Sequence, residues 1–273
     1  MKSTRILVGF DHSDRSDRAL GRAREIVREH GGQVVVAAAV DVSPHSSMRA
    51  LLEKVVPEET RERAARILGL PEASIEVHAR AGRAHEIIRD IARDLKVGLI
   101  VLGVHRTDDG PFNLVGSTAR RLINAAPAPV LIVKNDPNGP YRNVLVGYDD
   151  SAAARAAIQF ANELTPQGRR TIVAAFRVPF FDRVQSEGLT AQAEAQTREM
   201  LGEAFGKHGV RTDDSIVRPG DAYTVIMEAV RERNPDLLVL GTSMPALYRQ
   251  VFGGGIVDLV ATHPPCDLLV VKA

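Results

Sequence analysis

The sequence repeats itself once, and this repeat limits the possible fold more than any other feature. Residues 6–11 (ILVGFD) resemble residues 144–149 (VLVGYD), and the same separation of 138 residues places residues 131–134 (LIVK) over residues 269–272 (LVVK). Solenoid repeats have much shorter periods, about 20–50 residues. Each copy is therefore predicted to be a complete domain with its own core.

The boundary between the copies is marked by turn-forming residues. The segment 135–140 (NDPNGP) contains two prolines and one glycine, which end the preceding strand and delay the next. We therefore predict a first domain over residues 1–134, a linker over 135–140 and a second domain over 141–273.

Within each copy, short runs rich in β-branched residues alternate with longer segments of helical period, the pattern of a parallel sheet covered on both faces. Runs such as LIVL at 99–102 are apolar throughout, which indicates strands buried on both faces. The predicted fold class is α/β, with two tandem doubly wound open parallel five-stranded sheets. The strands of the first copy are predicted at 5–10, 33–40, 74–79, 98–103 and 129–133, and those of the second copy 138 residues later.

Composition excludes several classes of protein. The 35 Lys and Arg residues nearly balance the 34 Asp and Glu residues, which leaves a net charge of +1 and gives no bulk attraction to nucleic acid or to a membrane surface. The single cysteine, Cys266, excludes a disulfide framework and is predicted to be a buried small side chain. No apolar run reaches the 18 or so residues of a membrane span, and the N-terminus lacks a signal-like segment. A cytoplasmic location is expected.

The carboxyl edge of the predicted sheet carries the candidate site, because ligands of doubly wound sheets bind there. Asp11 ends the first strand, Gly103 ends the fourth, and Gly116, Ser117 and Thr118 open the following helix. Such a helix start offers backbone N–H groups, hydroxyls and the positive end of a dipole to a phosphate. The same residues could equally serve as helix caps, so both interpretations stay open at this point.

Position 106 lies three residues after Gly103, and nine residues separate it from Gly116-Ser117. This spacing resembles the G-x-x-G-x9-G-[S/T] nucleotide loop of the universal stress protein family. The resemblance covers both copies and implies the universal stress protein fold, which is adenine-nucleotide alpha hydrolase-like. It also implies ATP or a related adenine nucleotide as ligand, with Mg²⁺ as a candidate companion ion. Carried over to this sequence, adenosine would be held by Asp11 and Val40, and the phosphates by Gly103, Gly116, Ser117 and Thr118, with Arg106 in the same loop as a further candidate.

The sequence departs from that motif in both copies. Arg106 and Met244 stand where the family has its second glycine. Arg106 would either obstruct the loop or pair with a phosphate. In the second copy Ile256 follows two glycines, so both hydroxyls are lost and the site is predicted to be degenerate; its members are Asp149, Gly241, Gly254 and Gly255.

Two functional classes remain. The first is a nucleotide-binding stress-response protein, and the alternative is a non-nucleotide scaffold that acts through contacts with an unidentified protein partner. We assign no catalytic residue, no metal ligand and no enzyme activity beyond at most weak ATP hydrolysis, because no Walker loop, nucleophile elbow or metal-ligand spacing is found. The two copies are expected to pair through their last strands as an intramolecular pseudo-dimer, with further dimerisation left open.

Overall fold

The computed structural model describes residues 4–40, 49–104, 117–176, 187–208, 213–243 and 255–273. The chain forms two compact units, residues 1–140 with 261–268 and residues 141–260 with 269–273. Residues 261–268 group with the first unit, where the buried Asp267 carboxylate accepts hydrogen bonds from the backbone N–H groups of Lys134 and Asn135.

The first copy alternates strands and helices along the chain. Its sheet has the strand order β3-β2-β1-β4-β5, and all the neighbouring strands pair in parallel. Its elements are β1 (Arg5–Phe10), α1 (Asp14–His30), β2 (Gln33–Val40), α2 (Arg49–Leu68), β3 (Glu76–Ala81), α3 (Ala84–Asp94), β4 (Leu99–Gly103), α4 (Ser117–Ala125) and β5 (Val130–Val133).

The second copy repeats this arrangement. Its strand order is β8-β7-β6-β9-β10, which is the order of the first copy shifted by five strands. Its elements are β6 (Asn143–Gly147), α5 (Ala152–Leu164), β7 (Arg169–Phe176), α6 (Glu187–His208), β8 (Asp214–Pro219), α7 (Ala222–Arg233), β9 (Leu237–Thr242), α8 (Ile256–Thr262) and β10 (Asp267–Lys272). The predicted α/β fold with five strands in each copy is confirmed.

The strand order reverses next to β1 in the first copy and next to β6 in the second. In the first copy the chain runs from β1 outward through β2 to β3, and then returns to the other side of β1 with β4. The carboxyl ends of β1 and β4 therefore lie on either side of a crevice. This crevice is where the candidate site residues were predicted.

The sequence explains why these elements form. Helix α1 begins after Ser13, whose hydroxyl accepts a hydrogen bond from Ser16 N, and ends at Gly31, which has a φ of 72°. Ala19, Leu20 and other apolar residues at helical spacing are buried against the sheet. Among the described residues, the strands contribute six of the largest fully buried side chains of the first copy, and the helices contribute three more. Those on strands are Ile6, Leu7, Leu99, Ile100, Leu131 and Ile132, and those on helices are Leu20, Ile91 and Leu122.

The structure differs from the sequence-based boundaries at several strands. Strand β3 begins at residue 76 and not at 74, because residues 72–74 form a 3-10 turn after Pro71. Its counterpart β8 is shifted by the same two residues. Helix α2 contains the highly charged segment 58–66, but Thr60 within it is fully buried. None of the helices that the structure describes is long and apolar enough to cross a lipid bilayer.

Candidate functional site

The turn after β1 shapes the first wall of the crevice. Residue His12 adopts a left-handed conformation with a φ of 62°, and its counterpart Asp150 in the second copy does the same with a φ of 58°. This conformation is uncommon for residues other than glycine. It lets the chain leave β1 and enter α1 within three residues, which holds Asp11 at the end of the strand and Ser13 at the start of the helix.

Asp11 is held by donors from its own turn. Its Oδ1 accepts hydrogen bonds from the backbone N–H (3.2 Å) and the hydroxyl of Ser13, and its Oδ2 accepts from Arg15 Nε (2.9 Å) and Arg15 Nη2. Burial alone would raise the pKa of Asp11, but the hydrogen bonds from Ser13 and Arg15 and the charge of Arg15 outweigh it and lower the pKa to about 2. Asp11 is therefore a carboxylate at neutral pH.

Gly103 allows β4 to pass close to α1. A Cβ atom at position 103 would collide with the backbone carbonyl group of Arg15 and lie 3.0 Å from its Cβ. The equivalent Gly241 meets the same restriction, since a Cβ there would lie 2.6 Å from Ala154 N. Close packing against the first turn of the helix is therefore enough to require glycine at the end of β4 and of β9.

A cavity of about 150 Å³ opens at this point in the first copy. Three residues that the sequence predicted as ligand-binding lie in its wall: Asp11, Gly103 and Thr118. The wall also contains Arg15 and Ser16, which the sequence analysis did not select. Apolar atoms form most of the remaining surface, contributed by Phe10, Ala37, Ala39, Ile88, Leu102 and Val104.

Two other predicted residues, Val40 and Ser117, are not part of the cavity wall. Val40 ends β2, and its carbonyl accepts a hydrogen bond from Gly82 N (3.0 Å). The cavity is lined by Ala37 and Ala39, and side chains alternate along a strand, so the Val40 side chain points to the opposite face. Ser117 begins α4 and is exposed. Arg106 and Gly116 lie outside the described residues.

The second copy has a smaller cavity, of about 80 Å³, at the equivalent place. Asp149 and Gly241 line it, Gly255 immediately precedes α8, and Gly254 and Met244 lie outside the described residues. Three polar residues in the wall of the first cavity have apolar counterparts in the second copy. Ala153 replaces Arg15, Ala154 replaces Ser16 and Ile256 replaces Thr118. The first cavity is thus larger, and three polar side chains of the first copy have apolar counterparts in the second.

Four basic residues lie on or next to the helices that border the first cavity, and two of their counterparts in the second copy are acidic. Helices α3 and α4 border the first cavity through Ala84, Thr118 and Ala119. Arg121 Nη1 lies 3.4 Å from His85 Nε2, and burial together with the charge of Arg121 lowers the pKa of His85. In the second copy, Asp221 stands at the position of Arg83, Tyr223 at that of His85, Asp258 at that of Arg120 and Leu259 at that of Arg121.

The sequence analysis missed one residue that supports the turn. Thr60 lies on α2, and its Oγ1 lies 3.0 Å from His12 Nε2. The His12 ring also packs against Phe10 with a centroid separation of 4.9 Å. These contacts hold the left-handed residue between Asp11 and Ser13. Because 48 residues separate Thr60 from His12, no local sequence signal could have revealed the pair.

Fold and cavity together define a tandem doubly wound α/β protein with a small cavity at the switch point of each copy. The family model described as universal stress protein family matches residues 2–134 and 140–272. The chain therefore belongs to the universal stress protein family, as its motifs suggested.

Relatives and solved structures agree with this assignment. A universal stress protein of Mycobacterium tuberculosis is 27% identical over 293 aligned positions, covering 97% of this chain and 98% of the relative. One from Methanocaldococcus jannaschii is 31% identical over 139 positions, covering 48% of this chain and 81% of the relative. The crystal structure of a universal stress protein from Archaeoglobus fulgidus matches with a TM-score of 0.77 at 19% identity, covering 100% of this chain and 99% of that one. At that identity the structural match establishes the fold alone.

Proposed function

We propose that this protein acts in the stress response by binding ATP or a related adenine nucleotide in its first copy. The observation that carries the proposal is the cavity at the carboxyl ends of β1 and β4, where Asp11, Gly103 and Thr118 meet. These residues belong to three separate segments that the family resemblance had assigned to one ligand. A cavity with apolar walls and a few polar groups suits a planar base with a polar sugar.

Electrostatics favour an anionic ligand in the first copy. Thr118 lies in the first turn of α4, whose N-terminal end carries a partial positive charge. Arg15 lies in the wall, Arg83 is the N-cap of α3 and Arg121 lies on α4, so the elements that border the cavity carry three arginines. Arg15 and Arg83 pair with Asp11 and Glu86. At the same places the second copy has alanine, aspartate and leucine. Binding is therefore proposed for the first copy, with the second copy as a degenerate site.

Mg²⁺ would enter this site with the nucleotide's phosphates. Within the described part of the chain, no group of three or more His, Cys, Asp or Glu side chains is arranged to hold a metal ion. Mg²⁺ usually keeps several waters and is bound largely through substrate phosphates, so the ion would arrive already bound to the nucleotide. When bound, the ion would neutralise phosphate charge.

A non-nucleotide scaffold is the second candidate, and two observations favour it. Gly103 is already required by its close approach to α1, so its presence does not by itself indicate a phosphate. The Asp11 carboxylate also accepts hydrogen bonds from Ser13 and Arg15 of its own turn. In this alternative, the fold presents its surface to a protein partner and the cavity has no ligand.

Calorimetric titration with ATP separates these possibilities when two matched variants are compared. Asp11→Asn should weaken ATP binding about 10-fold or more, because a hydrogen bond to a charged acceptor contributes roughly 1.5–3 kcal/mol. Asp149→Asn makes the same change in the second copy and should alter affinity less than about twofold on this proposal. Equal losses in the two variants would contradict binding in the first copy, and no heat with the unaltered protein would favour the scaffold.

A further inference from the structure

A contact between two basic side chains joins helices α3 and α4 beside the first cavity. Arg121 Nη1 lies 3.4 Å from Nε2 and 3.5 Å from Nδ1 of His85. These nearly equal distances place the guanidinium over the imidazole ring and not in line with either nitrogen, so the two side chains stack. We call them the His85–Arg121 pair. Neither residue belongs to the family motif.

The pair borders the cavity near the starts of both helices. His85 follows Ala84 on α3, and Ala84 lines the cavity. Arg121 lies three residues after Thr118 on α4, and Thr118 lines the cavity too. Residues three apart share one side of a helix, and helical side chains point back toward the N-terminus. The exposed Arg121 side chain therefore lies over the first turn of α4, on the solvent side of the cavity.

The charges around the pair favour an anion next to it. The contact of Arg121 with the described residues is with His85 and not with a carboxylate. Burial and then the charge of Arg121 lower the pKa of His85. Glu86, 3.8 Å from His85 Nε2, opposes this decrease, and Arg83 and Arg89 add to it. These four side chains are the charges that act most strongly on His85, and together with burial they favour its neutral form beside a full positive charge.

The second copy has different side chains at both positions of the pair. Tyr223 stands at the position of His85, and Leu259 stands at that of Arg121. An aliphatic side chain and a phenol thus replace the guanidinium and the imidazole. The pair is therefore specific to the copy for which nucleotide binding is proposed.

We infer that the His85–Arg121 pair binds the terminal phosphate of the nucleotide and makes the first cavity prefer nucleoside triphosphates to monophosphates. The inference rests on the proposed function and deepens it, because it names the class of nucleotide. The apolar part of the cavity wall suits the base, so the phosphates extend outward along the first turn of α4. The phosphate farthest from the base then reaches the pair, where Arg121 offers it a charged fork of N–H donors.

His85 responds to the bound phosphate by taking up a proton. The negative charge of the phosphate favours the imidazolium form and offsets the charge of Arg121. Protonated His85 then donates to the phosphate as a second charged group. Because binding favours the protonated form, affinity for ATP should rise as the pH falls from weakly alkaline to neutral.

Calorimetric titration of ATP and of AMP into the full chain and two arginine variants tests the subsite. Arg121→Leu copies the residue of the second copy. Arg120→Ala is the matched control, because it removes the same charge from the neighbouring exposed residue, which faces another side of the helix.

The unaltered protein should bind ATP at least about 10-fold more tightly than AMP. Arg121→Leu should lower this ratio at least about fivefold through weaker ATP binding, since a hydrogen bond between charged groups at a partly exposed site is lost. Arg120→Ala should change the ratio less than about twofold.

The protons taken up per ATP bound provide a second readout, obtained from titrations at neutral pH in two buffers of different ionisation enthalpy. The unaltered protein should take up about 0.3 protons or more beyond the uptake of His85→Gln. The titration of ATP itself contributes equally to both proteins, so the difference belongs to His85.

The outcomes separate the inference from the proposed function. If the unaltered protein binds ATP and AMP equally, or if Arg121→Leu leaves the ratio unchanged, the phosphate subsite is refuted and the proposed function stands. Equal proton uptake in the unaltered protein and in His85→Gln would overturn the part assigned to His85. If the unaltered protein binds neither nucleotide, the proposed function fails and the inference fails with it.

Discussion

Replacement of Gly103 by alanine tests how closely β4 packs against α1. A Cβ at this position would collide with the Arg15 carbonyl group and lie 3.0 Å from the Arg15 Cβ. Carbon atoms in contact are normally about 3.5–4.0 Å apart, so the first turn of α1 or the end of β4 must move. Overpacking typically costs about 1–3 kcal/mol, and the upper end applies because backbone has to shift.

Urea denaturation followed by circular dichroism measures this cost. With a dependence on urea of about 2 kcal/mol per molar, a loss of about 3 kcal/mol lowers the midpoint by about 1.5 M. Gly202→Ala is the control, since Gly202 lies inside helix α6 with no atom within 4 Å of the added Cβ. It should stabilise the protein by up to about 1 kcal/mol. Equal midpoints for the two variants would refute the packing argument.

Three further predictions concern ionisation and the cysteine. Burial and a hydrogen bond to Asp150 raise the pKa of Tyr148 to about 12, so Asp150→Asn should lower that pKa in an ultraviolet absorbance titration; an unchanged value would exclude the hydrogen bond. Since burial and then the charge of Arg121 lower the pKa of His85, Arg121→Ala should raise it in an NMR titration, and a further decrease would contradict the assignment. Cys266 is buried, takes part in no disulfide and donates a weak hydrogen bond to the carbonyl oxygen of Asp267 (3.4 Å), so Cys266→Ala should lower the melting temperature by only a few degrees, about 1 kcal/mol, and a collapse of the fold would contradict this.

Much of the fold could be predicted from the sequence because it depends on periodic patterns. The repeat and the continuous apolar runs predicted ten strands in two sets, and the structure contains them with boundary shifts of one or two residues. The boundaries of β3 and β8 could not be read from apolarity. The segment 72–76 (EASIE) contains no continuous apolar run, and residues 72–74 form a 3-10 turn where a strand was predicted to begin.

The site was only partly predictable. Asp11, Gly103 and Thr118 follow from the strand ends and the helix start, and they do line one cavity. Arg15 was missed because its pairing depends on the turn geometry that His12 sets, although its position four residues after Asp11 was an available signal. The dependence of His12 on Thr60 is a tertiary contact, which a single sequence does not reveal.

The measurement that most directly tests the divergence of the two copies is the number of ATP molecules bound per chain, determined by equilibrium dialysis at saturation. One molecule per chain is expected. Thr118→Ile, which gives the first copy the residue of the second, should reduce binding by about 10-fold or more through loss of a hydroxyl and obstruction of the cavity. Two equivalent sites per chain, or one site that Thr118→Ile leaves intact, would contradict the claim that the first copy holds the nucleotide.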